Sequence, residues 1–269
     1  MERQTNQNEE ERWENYRLAN SRFPHVRQIE LMKQLELTNP QIGETIAEVG
    51  TGNGYLTFEL AKSVGKSGRI ITHDYQKSNL DFVERMNQNR FPITTIHQSL
   101  DYKLEISDES IDRVSSIATL HHYDDRLNNT GTTGRQRVLN EFYRALKDGG
   151  TLIIGDVAHG TAPQRYFDAI DNPKYCNPRG HPHDFLDENL ARKLCEDAGF
   201  EAITFEIKRV PWVFDDEEQA KNYLHTIHNA KCTPEESLEI AKKCLPYTQV
   251  GRRNQIEWEL FYLTAKKSI

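Results

Sequence analysis

The sequence has no long apolar run and no closely spaced pair of cysteines. Its apolar stretches are only a few residues long, too short for a helix that crosses a bilayer, and the polar N-terminus lacks the apolar segment of a secretory signal. The four cysteines are widely spaced, which favours reduced thiols over a disulfide framework. We therefore expect a cytoplasmic protein that makes no membrane contact.

Positive charge is also scarce. The 269 residues include 34 Lys+Arg against 41 Asp+Glu, a formal net charge of -7. Such an acidic balance argues against a protein that binds nucleic acid through its overall field. The length suits one domain with a sizeable addition, and the 36% of hydrophobic residues predict one core surrounded by charged helices.

Short apolar segments alternate with helical patterns from residue 45 to residue 156. This alternation predicts an α/β fold whose mainly parallel sheet is covered on both faces. In two later segments apolar and polar residues alternate as they do in strands, and two predicted helices lie between these segments. The predicted strands are 45–49, 69–72, 93–97, 112–117, 151–154, 201–208 and 255–266.

A glycine-rich loop, Glu48-Val-Gly-Thr-Gly-Asn-Gly54, stands between the first strand and a helix. Glycines allow a sharp turn and a close approach to a ligand, and the helix start offers unpaired N–H groups. The dinucleotide fingerprint fails because Tyr55 stands at its third glycine. The P-loop pattern fails because Leu60 stands at the first glycine that Gly65-Lys-Ser67 would require.

The third interpretation is an acidic residue two positions before Gly-x-Gly-x-Gly, and it resembles the class I S-adenosylmethionine-dependent methyltransferases. The resemblance covers roughly residues 40–156. It includes Asp74 at the end of the second strand, the segment 108–114 (DESIDRV) before the fourth strand and the segment 139–152 (LNEFYRALKDGGTL) around the fifth. More weakly, residues 157–208 resemble enzymes that methylate quinone precursors, acyl-type intermediates and other small metabolites.

This resemblance implies a Rossmann-like, seven-stranded and mostly parallel sheet. It also implies a C-terminal antiparallel strand, N-terminal helices and a helical insert before the last strand. The domains expected are an N-terminal helical cap (1–39), a methyltransferase core (40–210 plus 254–269) and a helical insert (211–253). The core needs only a hairpin where the insert stands, so we predict that the insert is a lid over the acceptor pocket. The alternatives are a decoration packed on the sheet edge and a surface that binds a partner.

The implied cofactor is S-adenosylmethionine. Asp74 would accept hydrogen bonds from both ribose hydroxyls, and Glu48 would lie near the methionine amino group. The family's adenine-side Asp falls on Leu100, next to Asp101, so the adenine contact belongs to one of these two positions. The predicted cofactor-binding residues are Tyr16, Glu48, Gly50, Thr51, Gly52, Asn53, Gly54, Asp74, Tyr75, Leu100, Asp101, Ala118 and Thr119.

The acceptor side is defined less sharply. The fourth strand is followed by Ala118-Thr-Leu-His-His122 and lacks the Asn/Asp-Pro-Pro-Tyr/Phe of many amide and base-nitrogen methyltransferases. The two histidines either orient the acceptor and take its proton, or pack under the cofactor and cap a turn. Predicted catalytic residues are His121, His122 and His183, and predicted substrate contacts are Arg179, His181, Trp212 and Phe214.

Cysteine and histidine residues also cluster between Cys176 and Asp184, and such residues can bind a metal ion. Their spacing is not that of a zinc site, so no metal is predicted. Its histidines either touch the acceptor or belong to an exposed polar loop. We predict transfer of a methyl group to a small molecule by in-line attack. The alternatives are an RNA- or protein-directed methyltransferase on the same fold and a non-catalytic cofactor-binding regulator. The oligomeric state and the methylated atom are not predicted.

Overall fold

A computed structural model describes residues 2–97, 103–123, 133–175 and 184–269, with side chains from residue 10 onward. The chain forms two compact units. The sheet unit consists of residues 32–156, 184–207 and 261–269, and the helical unit consists of residues 1–31, 157–183 and 208–260. The predicted cap, core and lid divide the chain at other boundaries and remain predictions.

The strands of the larger sheet are β1 (Thr45–Val49), β2 (Arg69–Asp74), β3 (Ile93–His97), β4 (Ile111–Ile117), β5 (Leu146–Asp156), β6 (Glu201–Arg209) and β10 (Glu259–Lys266). Their order is β3-β2-β1-β4-β5-β10-β6. The strands from β3 to β5 are parallel to their neighbours, whereas β10 runs antiparallel to β5. The predicted α/β class and mostly parallel sheet are confirmed.

The central strands are buried along almost their whole length, as expected where helices cover both faces of a parallel sheet. The helices that accompany this sheet are α2 (Gln28–Thr38), α3 (Tyr55–Val64), α4 (Lys77–Asn87), α5 (Gly134–Ala145) and α7 (Glu188–Asp197). A short 3-10 helix (Leu120–His122) follows β4. The connections after β1 and β4 therefore lie at the carboxyl edge of the sheet, where ligands of such folds bind.

The helical unit contains α1 (Glu2–Arg22), α6 (Ala162–Ile170), α8 (Glu217–Ile227), α9 (Pro234–Cys244) and the strands β7 (Trp212–Phe214), β8 (Tyr247–Val250) and β9 (Arg253–Ile256). The three strands form an antiparallel sheet in the order β7-β9-β8. Local chemistry sets the start of α9: Thr233 and Glu236 form a capping box, and Pro234 occupies the first turn.

The predicted last strand, 255–266, is divided in the structure. Its first residues belong to β9, and the remainder forms β10. Trp258 stands between the two strands, and its ring is stacked on Trp212 with the centroids 4.1 Å apart. The predicted insert contains α8 and α9, but it also contains β7 and β8. Across the part of the chain that the structure describes, no helix combines the length and the apolar character that a membrane span requires.

Candidate active site

The glycine-rich loop connects β1 to α3 in the sheet unit. Gly50, Gly52 and Gly54 all have positive φ, at 92°, 53° and 79°. A Cβ on Gly50 would lie 1.9 Å from Thr119 Oγ1 and 2.8 Å from Thr119 Cβ. Both its conformation and its surroundings therefore require glycine at position 50. The loop at Gly50 and the side chain of Thr119 are therefore in close contact.

Asp74, the predicted ribose ligand, lies at the end of β2 and is attached to the same loop. Its Oδ2 accepts hydrogen bonds from Gly52 N at 2.9 Å and from Asn79 Nδ2 at 3.2 Å. Its Oδ1 accepts from Gln76 N at 2.7 Å. A carboxylate offers about four acceptor positions, so these bonds orient the group and leave room for ribose hydroxyls. The ribose contact itself remains a prediction.

Tyr75 follows Asp74 and presents its ring at this edge, with 54% of the residue exposed. Its backbone is held by a hydrogen bond between His97 Nε2 and Tyr75 O at 2.8 Å. An exposed aromatic ring beside the ribose ligand suits the stacking of a base. The predicted adenine positions, Leu100 and Asp101, lie outside the described residues.

Glu48 lies below the loop and is 1% exposed. Its Oε2 accepts hydrogen bonds from Thr57 Oγ1 at 2.5 Å and from Thr72 Oγ1 at 2.7 Å. Burial raises the pKa of the Glu48 carboxyl to about 8, against the opposing effect of the two threonine hydroxyls. At neutral pH the group is therefore mainly protonated. Its predicted place beside the methionine amino group remains a prediction.

The backbone after β4 is held in an uncommon conformation. Ala118 has a φ of 50°, and its N–H donates to Gly155 O at 2.7 Å. Thr119 Oγ1 donates to Ile117 O at 2.9 Å. Positive φ is rare for residues other than glycine and is retained where neighbouring structure enforces it. Of the two predicted methionine-side residues, Thr119 lies directly against the loop at Gly50.

His121 forms a double contact with Asp156, which ends β5. Its Nδ1 lies 2.7 Å from Asp156 Oδ1, and its backbone N donates to Asp156 Oδ2 at 3.0 Å. His121 and Asp156 are 7% and 1% exposed. The His122 ring lies 4.1 Å from the His121 ring, and the Phe185 ring lies 5.2 Å from it. A carboxylate on Nδ1 selects the tautomer whose lone pair is on Nε2.

The sequence analysis did not single out Asp156. The available signal was an acidic residue at the end of the fifth strand, which a parallel order places beside the end of the fourth. A pairing between two side chains that are far apart in the chain becomes visible only once that strand order is established. The two predicted histidines are therefore brought together with a carboxylate that the motifs did not reveal.

Three other predicted residues lie in the helical unit. Tyr16 accepts a hydrogen bond through its hydroxyl from Arg27 Nη1 at 2.9 Å. Trp212 Nε1 donates to Glu30 Oε2 at 3.3 Å, and Arg27 and Glu30 form a buried ion pair. Phe214 has no exposed surface. These side chains form part of the interior of this unit, and their contacts with cofactor or acceptor remain predictions.

The predicted acceptor loop, with Arg179, His181 and His183, lies outside the described residues. The roles of these three residues therefore remain predictions. Within the described ranges, no group of three or more His, Cys, Asp or Glu side chains is arranged to hold a metal ion.

Residues 47–154 match the family model of the methyltransferase domain. This stretch contains the glycine-rich loop, Asp74 and the residues that follow β4. These residues form a methyltransferase domain. For this domain the predicted family, enzyme class and cofactor, S-adenosylmethionine, are confirmed, and the activity of the whole chain belongs to the proposal.

Several curated relatives of this methyltransferase domain carry the names of quinone-biosynthesis methyltransferases. The ubiquinone/menaquinone biosynthesis C-methyltransferase of Hydrogenovibrio crunogenus is 29% identical over 135 residues, 48% of this chain and 48% of that enzyme. The demethylmenaquinone methyltransferase of Lactococcus lactis is 25% identical over 181 residues, 61% of this chain and 68% of that enzyme. The chain thus spans about half the length of the first of these relatives.

A solved structure of similar fold is phosphoethanolamine N-methyltransferase 2 from Haemonchus contortus, in complex with phosphomonomethylethanolamine and S-adenosylhomocysteine. The TM-score is 0.58 at 15% identity, over 89% of this chain and 52% of that chain. At this identity the similarity demonstrates the fold alone, and the acceptor must be argued from other observations.

The residues of the methyltransferase domain fit the cofactor. Asn53 Oδ1 is buried in the glycine-rich loop without a hydrogen-bond partner. An acceptor atom in that position suits a ligand that brings hydroxyl or amino hydrogens, and such a ligand would remove the cost of the unpaired atom. The absence of a side chain at Gly50 and the fixed carboxylate of Asp74 fit the same ligand.

Proposed function

We propose that the protein transfers a methyl group from S-adenosylmethionine to a small-molecule metabolite by in-line displacement. One observation carries the proposal: the family-matched residues join the loop at Gly50, the carboxylate of Asp74 and the backbone at Thr119 along one edge of the sheet. This edge is where α/β folds of this type bind their ligands.

Two observations support a small-molecule acceptor. The curated relatives reported above carry names of quinone-biosynthesis methyltransferases. The net charge of -7 makes nucleic acid an unfavourable partner. A cytoplasmic location and the absence of nucleic-acid and membrane partners belong to the same proposal.

The residues of this chain would orient and protect the reaction more than they would change bonds. When bound, S-adenosylmethionine supplies an already activated methyl group. The loop and Asp74 would fix the cofactor, and the backbone at Ala118 and Thr119 would approach its methionine moiety. Where the acceptor must lose a proton, His121 would accept it through Nε2, because Asp156 holds the hydrogen on Nδ1.

Calorimetry with S-adenosylhomocysteine, followed by a methyl-transfer screen with labelled S-adenosylmethionine, tests the proposal. The screen uses separate metabolite, RNA and protein pools. Binding with transfer to the metabolite pool is the expected result. The absence of binding would contradict the proposal. Transfer to RNA or protein alone would favour an RNA- or protein-directed methyltransferase. Binding without transfer to any pool would favour a non-catalytic regulator.

Replacing Asp156 by asparagine should slow methyl transfer. Asparagine presents an amide N–H₂ to one of the two donors that His121 directs at Asp156, so the histidine loses its fixed tautomer. We expect roughly a 100-fold loss in kcat with the acceptor found in the screen, and a dissociation constant for S-adenosylhomocysteine within about threefold of wild type.

The double variant His121→Ala/Asp156→Asn is the control for this effect. Because the two residues act as a unit, it should be no slower than His121→Ala alone. Losses that multiply in the double variant would show that Asp156 acts separately from the histidine.

A further inference from the structure

Glu48 belongs to a chain of buried hydroxyl groups under the cofactor loop. Glu48 Oε2 accepts the two threonine bonds described above. One of these donors, Thr72 Oγ1, also lies 2.6 Å from Thr51 Oγ1. Glu48, Thr51, Thr57 and Thr72 are all between 0 and 1% exposed. Three elements take part, because Glu48 lies on β1, Thr72 lies on β2 and Thr57 lies in the first turn of α3.

The donor to Glu48 decides the direction of the hydrogens in this chain. Each hydroxyl has one hydrogen, and in the structure Thr72 donates its hydrogen to Glu48. With that arrangement, the hydrogen between Thr72 and Thr51 comes from Thr51. Thr51 is a loop residue that lies between Gly50 and Gly52, and its hydroxyl is thus directed towards β2. The chain ties the cofactor loop to Glu48 through Thr72.

The surroundings of Glu48 do not favour a negative charge. The charged neighbour that acts on its pKa is Asp74, and the like charge of that carboxylate raises the pKa further. A buried carboxylate beside a second carboxylate is costly, whereas a neutral carboxyl accepts the same hydroxyl hydrogens. Glu48 is thus paired with two hydroxyls and with the backbone of Thr57, without a counter-ion.

We infer that Glu48 is a positioning residue that holds Thr51 and the cofactor loop through Thr72, and that its negative charge is not required for cofactor binding. The family resemblance implies instead that Glu48 lies near the amino group of the cofactor's methionine, where a carboxylate would act as its counter-ion. The inference rests on the proposed binding of S-adenosylmethionine by this loop. It is independent of the acceptor that is methylated.

Substitutions at both ends of the chain test the inference by calorimetry with S-adenosylhomocysteine. Glu48→Ala should lower the affinity roughly tenfold, and the conservative Glu48→Gln should restore it to within about threefold of wild type. Thr72→Val, which keeps the side-chain shape but removes the hydroxyl, should also lower the affinity roughly tenfold.

Thr57→Val is the matched control for the loop connection. It removes one hydroxyl from Glu48 but leaves the bond between Thr72 and Thr51, so its effect on affinity should be smaller than that of Thr72→Val. Equal losses in the two valine variants would show that the loop connection has no special role, and would overturn the inference. Far-ultraviolet circular dichroism identifies any variant that fails to fold. If Glu48→Ala does not fold, the inference is tested with Thr72→Val instead.

A second ligand separates positioning from charge. 5′-Methylthioadenosine lacks the amino and carboxyl groups of S-adenosylhomocysteine. If Glu48 positions the loop, Thr72→Val should weaken both ligands by a similar factor. If Glu48→Gln lost affinity tenfold or more for S-adenosylhomocysteine but not for 5′-methylthioadenosine, Glu48 would be the counter-ion. That result would overturn this inference but not the proposed function. If the wild-type chain bound neither ligand, the proposed function would fail as well.

Discussion

Replacing Gly50 by alanine is expected to abolish the binding of S-adenosylhomocysteine. The new Cβ would lie 1.9 Å from Thr119 Oγ1, so either the loop or the backbone after β4 must move. In addition, the φ of 92° at Gly50 is one that alanine rarely adopts. We expect the affinity to fall by a factor of at least roughly 100, measured by calorimetry.

Gly251→Ala provides the matched control. Gly251 has a φ of 66°, but a Cβ there would meet nothing within 4 Å. This variant shares the conformational cost of Gly50→Ala without the collision, and its affinity should equal that of wild type. The double variant Gly50→Ala/Thr119→Gly should recover part of the binding, because only the collision is removed. Affinity of Gly50→Ala within threefold of wild type would show that the loop does not meet the cofactor closely.

Raising the pH from 6.5 to 8 is expected to destabilise the wild-type protein through Glu48. The pKa of this carboxyl is about 8 in the folded chain against 4.5 in the unfolded chain, so the folded state retains a proton that the unfolded state has lost. The contribution is fully present below pH 4.5 and is lost as the pH rises through 8. Between pH 6.5 and 8, the free energy of unfolding should fall by about 2 kcal/mol. Well above pH 8, the whole contribution of about 5 kcal/mol is lost.

Urea unfolding of wild type and Glu48→Gln at both pH values measures this effect. Glutamine cannot ionise, so the variant should lose the dependence on pH between 6.5 and 8. Burial lowers the pKa of His73 to about 4, and this group acts in the opposite sense, since its contribution is lost as the pH falls from 6.5 towards 4. At pH 6.5 His73 is neutral in the folded chain but half protonated in the unfolded chain, which adds a rise in stability of only about 0.4 kcal/mol up to pH 8. Because this effect is common to wild type and Glu48→Gln, the difference between the two proteins isolates Glu48. A wild-type decrease that persists in Glu48→Gln would assign the effect to another group.

The motifs allowed much of the sheet and of the cofactor loop to be predicted from the sequence. Short-range features carry this information, because Gly50, Gly52 and Gly54 are needed by their own backbone conformations. Asp74 was also identifiable, because the acid at the end of the second strand has a fixed spacing from the loop. In these places a local pattern and the tertiary structure require the same residue.

Other features depend on contacts between distant parts of the chain. The pairing of His121 with Asp156 requires the strand order β4-β5, and the hydroxyl chain from Thr51 to Glu48 requires the register between β1 and β2. The break of the predicted last strand depends on the stacking of Trp258 on Trp212. Alternating residues at 255–266 satisfy a strand pattern on either side of that break, so periodicity alone did not locate it.

The place of β10 in the sheet has a consequence for the order in which the protein folds. β10 is contributed by residues 259–266, yet it lies between β5 and β6. During synthesis, β1 to β5 can pair as they emerge, whereas β5 and β6 keep open edges until residue 266 has left the ribosome. A nascent or truncated chain that lacks this strand would expose two unpaired strand edges, and we expect such a chain to aggregate or to need a chaperone.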